Sequence, residues 1–357
     1  MKILTVVGAR PQFVKAAAVS RVFSQRGIEE VLLHTGQHFD HNMSQVFFDE
    51  MQIPTPKYNL DIHGLTHGAM TGRMLEGIEG VIMQEKPNLV MVYGDTNSTF
   101  AGALAAKKLH TRVAHVEAGL RSFNMRMPEE INRILTDRIS DWLFCPTENA
   151  VENLKLEGFD NIPAMVLNVG DVMQDAALFY SKISQQKSTI ASAIELNQTF
   201  VLATIHRQEN TDSIERLSQI IDGLNLLNKE MQVIVPLHPR TREYINKTSI
   251  APEFTIIDPV GYFDMIELLK RCSLVITDSG GLQKEAFFFA KPCVTLRNET
   301  EWVELVENGF NILSGANSYN IYSMSSLMLE GEFEFDVDLY GNGKASEQIA
   351  DALLNYA

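Results

Sequence analysis

At 357 residues the chain is longer than the roughly 250 to 300 at which a single hydrophobic core stops growing, so two domains are expected. Hydrophobic residues at 45% and charged ones at 21% exclude a disordered chain, and 45 Asp and Glu against 30 Lys and Arg leave a net charge of −15 that repels a nucleic-acid backbone. Three cysteines, Cys145, Cys272 and Cys293, are odd in number and scattered through apolar stretches, which excludes a disulfide framework or a Cys-x-x-Cys metal site. From the N-terminus, the apolar run through Val7 is too short for a signal peptide, and no run reaches the ~20 apolar residues of a membrane helix, so a soluble, cytoplasmic protein is expected. Short β-branched runs then alternate with stretches of helical period, the pattern of parallel sheets with crossover helices. The strands expected in the first half are Ile3–Val7, Val31–His34, Leu89–Tyr93, Val113–Val116 and Trp142–Cys145. Asn168-Val169-Gly170-Asp171 closes this set, and the pattern restarts with Phe200–Ile205, Gln232–Leu237, Phe254–Ile257, Leu274–Thr277 and Cys293–Leu296. Two doubly wound α/β domains are expected, 1–168 and 169–344, with a last helix at about 345–357 carrying Ile349, Ala350, Leu353 and Leu354 back across the joint.

In doubly wound sheets ligands sit outside the carboxyl ends of the strands. There the chain places Gly8-Ala9-Arg10-Pro11, Thr35-Gly36-Gln37-His38, Gly94-Asp95-Thr96, Glu117-Ala118-Gly119, His206-Arg207, His238-Pro239-Arg240 and Asp278-Ser279-Gly280-Gly281. Turn geometry explains any one of these breaks; their joint richness in His, Arg and carboxylates points to a site. No strand is followed by Gly-x-Gly-x-x-Gly and no P-loop occurs, so tightly bound NAD and phosphoryl transfer both lose ground. The histidines at 34, 38, 41, 63 and 67 are interrupted or flanked by glycines, and no metal is expected.

Asp278-Ser279-Gly280-Gly281 opens a helix, Leu282–Ala290, whose amides and Ser279 hydroxyl suit a pyrophosphate, with Glu285 one turn on for ribose hydroxyls. A plain helix start with a solvated Glu explains the segment equally well. Arg10 and Lys15 bring positive charge to the first strand-to-helix turn. Asp95, Glu117 and the helix start Pro128-Glu129-Glu130-Ile131-Asn132-Arg133 aim carboxylates at one cleft, although the helix dipole alone accounts for Glu130. His206, from the other domain, is suited to shuttle a proton, and Arg207 to pair a phosphate or a carboxylate.

Taken together, Gly8-x-Arg10-Pro11 with Lys15, Gly94-Asp95-Thr96, His115-Val116-Glu117-Ala118-Gly119-Leu120-Arg121, Pro128-Glu129-Glu130-x-Asn132-Arg133, His206-Arg207-x-Glu209-Asn210 and Asp278-Ser279-Gly280-Gly281-x-Gln283-x-Glu285 resemble the non-hydrolysing UDP-N-acetylglucosamine 2-epimerases. The resemblance implies two Rossmann-like domains of the GT-B type with the active site in the interdomain cleft, and a homodimer. It implies anti elimination of UDP across carbons 1 and 2 to a 2-acetamidoglucal and re-addition with inversion at carbon 2, without a cofactor. By the same resemblance Asp95, Glu117, Glu129 and His206 are acid–base candidates, Arg10, Lys15, Arg133, Ser279, Gly280, Gly281 and Glu285 hold the substrate, and Gln37 and His38 belong to a second, activating site. Asp40 stands where that second site's motif has Gln, which implies weak activation or none.

Three departures bear on the sugar. Gln12 stands where many members have Glu, the loop Ser122–Met127 is short, and Glu301-Trp302-Val303-Glu304 replaces Glu-Arg-Pro-Glu. They resemble a branch that includes epimerases of UDP-2,3-diacetamido-2,3-dideoxy-glucuronic acid. This is the alternative to UDP-N-acetylglucosamine, and in it Arg126 either pairs the sugar's carboxylate or is a loop residue that is solvated or paired with Glu130. A retaining GT-B glycosyltransferase or a silent nucleotide-sugar sensor fits the set of carboxylates less well.

Overall fold

The run Leu89-Val90-Met91-Val92-Tyr93 is buried at every position, which suits a strand only in a sheet covered on both faces. The computed structural model describes residues 1–37, 55–197, 199–237, 239–247 and 251–355, with the backbone alone at Arg10, Ala191, Pro239, Arg240, Asn246 and Lys247, and contains two such sheets. The first consists of β1 Lys2–Val7, β2 Glu29–His34, β3 Tyr58–Asn59, β4 Leu89–Tyr93, β5 Arg112–Val116, β6 Trp142–Cys145 and β7 Met165–Asn168, in the order β3-β2-β1-β4-β5-β6-β7. The second consists of β8 Phe200–Thr204, β9 Gln232–Pro236, β10 Thr255–Ile257, β11 Leu274–Thr277, β12 Cys293–Thr295 and β13 Asn311–Leu313, in the order β10-β9-β8-β11-β12-β13. Every pairing is parallel; Val6, for example, stands level with Leu33 on one side and Val92 on the other.

The longer helices are α1 Arg10–Gln25, α2 His67–Glu85, α3 Asn97–Lys108, α4 Pro128–Ile139, α5 Glu148–Leu156, α6 Val172–Lys187, α7 Ile214–Asn228, α8 Pro239–Lys247, α9 Tyr262–Arg271, α10 Gly280–Phe288, α11 Ser318–Glu330 and α12 Ala345–Asn355. Met74, Ile78 and Ile82 of α2 cover Val6, Leu33 and Val92 on one face of the first sheet. In the second sheet, Ile220 and Leu224 of α7 pack on Ala203, Val235 and Ile276, while Leu268 and Ala286 take the other face against Leu202 and Val275. Each fully buried side chain of this size stabilises the fold by roughly 1.5 to 3 kcal/mol. Both sheets are therefore Rossmann-like, as the alternating pattern predicts. Strands β3, β7 and β13, which the sequence reading does not contain, are two to four residues long and partly exposed, and their apolar runs, Met165–Leu167 in β7 and Ile312–Leu313 in β13, are shorter than those of the strands that were expected.

The compact units are Met1–Ala176 with Asp338–Ala357, and Ala177–Val337, so the division falls inside α6 and not at the expected 168, and the return begins ahead of α12. Contacts explain this. Asp171 donates its backbone N–H to the Tyr340 carbonyl at 2.8 Å, and the Asp175 carboxylate accepts from the first amides of α12, Ala345 at 3.1 Å and Ser346 at 2.6 Å. Ile349, Ala350 and Leu353 of α12 are buried in this unit, whereas Leu354 faces solvent. The strand order reverses between β1 and β4, and again between β8 and β11. Crevices at such switch points are where doubly wound sheets take their ligands.

Candidate active site

In the first unit the turns after β1 and β4 are bound to one side chain. Gln12, 1% exposed, accepts from the Gly8 and Ala9 amides at 2.8 and 3.0 Å and donates to the Tyr93 carbonyl at 2.6 Å and to Thr99 Oγ1 at 2.9 Å. An amide does both; the carboxylate of a Glu here would have no proton for the Tyr93 carbonyl. Gly8 must be glycine, because a Cβ would lie 2.1 Å from Thr35 Oγ1 and 2.2 Å from Ser98 Oγ. Thr35 and Ser98 hydroxyls bond at 2.8 Å, and Gln37 Oε1 accepts from Ser98 Oγ at 2.7 Å.

Outside β5, Glu117 forms a short ion pair with Lys15; their side chains are only 10% and 9% exposed. The Glu117 backbone is left-handed, φ 72°, and is held there by its N–H to the Phe144 carbonyl at 3.0 Å. Gly94, φ 62°, passes so close that a Cβ on it would stand 3.2 Å from Glu117 Oε2 and 3.3 Å from Lys15 Nζ. The next residue, Asp95, forms a short ion pair with Arg133, and its carbonyl accepts from Asn132 Nδ2 at 2.9 Å. Lys15, Glu117, Gly94, Asp95 and Arg133 thus form one polar cluster at the β1/β4 switch point.

Helix α4 organises this cluster with a buried polar face. Glu130 accepts from Ser122 N and Oγ, both at 3.0 Å, from Phe123 N at 2.9 Å and from Arg133 at 2.7 Å. Burial drives its carboxyl up, but those amides and Arg133 outweigh burial and leave it below the ordinary value. Stabilisation by the helix dipole is therefore not the main role of Glu130: the residue clamps the loop. Glu129 is exposed in the first turn of α4, and Arg126 is exposed with no carboxylate partner among the described residues.

In the second unit Asp278, fully buried at the end of β11, holds the turn after β8. Its carboxylate accepts from His206 N and Arg207 N at 3.1 Å, from Asn210 Nδ2 at 3.0 Å, and faces His206 Nδ1 at 3.0 Å. Burial pushes this carboxyl up, but His206 and the other donors bring it below the usual range. The imidazole is oriented by Nδ1, half exposed, with Nε2 directed away from Asp278. Ser279 caps α10 by accepting from Leu282 N at 3.4 Å, which puts Gly280 and Gly281 in the first turn at the positive helix end. Glu301, paired with Arg297 at 2.9 Å and 4.0 Å from Arg207, lies against Gly280. Buried Glu285 lies beside Tyr262, and Trp302, one of the sequence departures, packs beneath the Lys284 ammonium at 3.9 Å.

The structure therefore groups Lys15, Asp95, Glu117 and Arg133 in one unit, and His206, Ser279, Gly280, Gly281 and Glu285 in the other. Arg10 opens α1 beside the first group; His38 lies outside the described residues. Sequence reasoning missed Asp278 and Glu130 as organising residues. For Asp278 the available signal was an acid and a histidine at corresponding strand ends. Among the described residues no group of three or more His, Cys, Asp or Glu is placed to hold a metal, and no helix is long and apolar enough to cross a membrane.

Residues 21–354 match the family model described as UDP-N-acetylglucosamine 2-epimerase. The chain is 57% identical over 355 residues, 99% of each chain, to a protein of Pseudomonas aeruginosa named UDP-2,3-diacetamido-2,3-dideoxy-D-glucuronate 2-epimerase. To the UDP-N-acetylglucosamine 2-epimerase of Methanocaldococcus jannaschii it is 42% identical over 364 residues, 99% of each chain. The crystal structure of M. jannaschii UDP-GlcNAc 2-epimerase in complex with UDP-GlcNAc and UDP superposes with a TM-score of 0.91 at 41% identity, covering 100% of both chains.

Proposed function

The chain belongs to the UDP-N-acetylglucosamine 2-epimerase family and is an epimerase, and we propose that its substrate is UDP-2,3-diacetamido-2,3-dideoxy-D-glucuronate, inverted at carbon 2. The observation that carries the choice of sugar is the 57% identity to the relative of that name, against 42% to the UDP-N-acetylglucosamine enzyme over the same share of the chain.

The chemistry follows from the sugar. The hydrogen on carbon 2 has no adjacent carbonyl to acidify it, so its removal needs concerted departure of a good leaving group. UDP on carbon 1 is that group: a base takes the carbon 2 proton, the electron pair forms the double bond to carbon 1, and UDP leaves with the bonding pair. Re-addition of UDP to the glucal, with a proton delivered to the opposite face of carbon 2, completes inversion. Asp95, Glu117, Glu129 and His206 are the proposed acids and bases. Arg10, Lys15, Arg133, Ser279, Gly280, Gly281 and Glu285 are proposed to hold the substrate, the α10 amides taking the diphosphate that leaves and returns. The Lys15–Glu117 and Arg133–Asp95 ion pairs fix the direction in which each carboxylate points.

Proton NMR in heavy water with each UDP-sugar is the test. Deuterium at carbon 2 and a growing manno isomer are expected with the diacetamido glucuronate, and much slower exchange with UDP-N-acetylglucosamine. Faster turnover of the neutral sugar defeats the substrate assignment. An unchanged spectrum with both defeats the reaction.

A further inference from the structure

His115 is wholly buried on β5, two residues before Glu117, and both of its ring nitrogens meet acceptors. Nδ1 is 2.6 Å from Asp137 Oδ1 of α4, and Nε2 is 2.7 Å from the Gly94 carbonyl oxygen. A carbonyl has no proton to give, so Nε2 must carry one. Asp137 also accepts from Gly119 N at 3.1 Å and from Arg121 at 2.7 Å, which marks it as a carboxylate, so Nδ1 must carry the other. We infer that His115 is held as a buried imidazolium and is a positioning residue that fixes the Gly94–Asp95 peptide against the strand carrying Glu117.

The anchoring is two-sided. Gly94 donates its N–H to the Val116 carbonyl at 3.0 Å and accepts from His115, so both polar groups of the residue before Asp95 are tied to β5. Glu117 begins where β5 ends. The two proposed acid–base carboxylates are thereby held in register by one strand, and a one-ångström misplacement of such groups can cost ~100-fold in rate. The charge is compensated along a chain, His115 to Asp137, Asp137 to Arg121, and Arg121 to Glu157 through contacts of 2.6 and 2.9 Å. Across Gly94 the neighbouring ionic groups are Lys15 and Glu117. Cys145 of β6, the remaining titratable group beside Asp137, is kept a thiol by burial. Every proton on the ring is occupied in holding structure, which removes His115 from proton transfer and leaves His206 as the histidine of the proposed acid–base set.

The positioning role rests on the acid–base reading of Asp95 and Glu117; the protonation state does not, and the experiment separates them. Ring-¹⁵N histidine spectra of the wild-type protein are recorded at neutral pH, where the number of protons on each ring is read directly. One ring, assigned by its contacts to Gly94 and Asp137, is expected to carry a proton on each nitrogen. A singly protonated His115 at neutral pH overturns the inference, and this arm needs no variant that folds. In the kinetic arm His115→Gln keeps a neutral donor near the Gly94 carbonyl but removes the charge. It is expected to lower kcat ~100-fold with UDP affinity within about 2-fold, and to move the acid limb of kcat/KM upward, since nearby carboxylates lose a cation. Equal losses in kcat and UDP affinity with an unmoved pH profile overturn the positioning role. If Asp95→Asn and Glu117→Gln retain full turnover, the acid–base reading fails while the spectroscopic result stands.

Discussion

Glu117 bears its carboxylate on a backbone at φ 72°, a conformation that costs a non-glycine residue roughly 1 to 3 kcal/mol and persists only where surrounding bonds enforce it. The Phe144 carbonyl and the Lys15 ammonium enforce it here. Strain held in this way is typical of a group whose aim matters more than its contribution to stability. Glu117→Gln and Asp95→Asn should each lower kcat by at least ~100-fold while UDP affinity, read by calorimetry, changes little; matching losses in affinity would recast both as structural. Arg126 belongs to the same scale. Its loop is pinned at Ser122 and Phe123 by Glu130, while its own guanidinium faces solvent. A charge-assisted bidentate bond to a carboxylate on carbon 6 contributes ~1.5 to 3 kcal/mol, so Arg126→Ala should reduce kcat/KM for the uronate ~10-fold or more and leave the neutral sugar unaffected. Equal effects on both sugars would remove Arg126 from the site. What the sequence made legible at this scale were residues at strand ends, because strand ends are where chemistry collects. What it hid were His115, Glu130 and Asp137, since a buried polar side chain is recognisable only once its partners from other elements are in place.

Helix α4 shows why the hidden residues stayed hidden. Its apolar positions Ile131 and Leu135 follow helical spacing and suggest a core-facing stripe, yet they are 40% and 42% exposed, while Glu130, Asn132, Arg133, Thr136 and Asp137 are buried. The fold inverts the usual amphipathic rule because the buried face must serve three loops that carry backbone amides and ionic groups. Strands were the legible elements: continuous β-branched runs put seven of the expected strands within a residue or two of their bounds and matched Leu89–Tyr93, Trp142–Cys145 and Leu274–Thr277 end to end. Short β3 was invisible, and its stability has a different source. Glu85, at the end of α2, accepts from Lys2 at 2.5 Å, Lys57 at 2.6 Å and Tyr58, which together bring its carboxyl down to about 2. A depressed carboxylate stabilises the fold fully above its unfolded value, about 4.5, and loses that contribution as pH falls toward about 2. The melting temperature of Glu85→Gln should therefore trail the wild type by a constant margin at neutral pH, and the margin should shrink steadily in that acid window. A margin at about pH 3 equal to that at about pH 7 would show that Glu85 acts by packing rather than by charge.

At the scale of the whole chain, the two sheets share one winding rule and differ in where they put their glycines. A Rossmann-like sheet that binds a dinucleotide carries its Gly-rich turn after the first strand, where the helix start meets the pyrophosphate. Here the first-strand turns are Gly8-Ala9-Arg10 after β1 and Ile205-His206-Arg207 after β8, and the Ser279-Gly280-Gly281 turn follows β11 on the far side of the switch point. In the second sheet the turn after the first strand carries a His–Asp pair, His206 on Asp278, in place of a run of glycines. Elimination of UDP also makes prior oxidation of the sugar unnecessary, since the leaving group itself accepts the electron pair. Protein freed of nucleotide by unfolding and refolding should thus epimerise its substrate at the same rate with or without added NAD. Exhaustive chelation should leave that rate within about 2-fold, because proton transfer by carboxylates and diphosphate capture by helix amides and cationic side chains need no ion. Activity restored only by NAD would relocate the chemistry to oxidation at a neighbouring carbon, and activity restored only by a divalent cation would transfer the stabilisation of departing UDP from α10 to a metal.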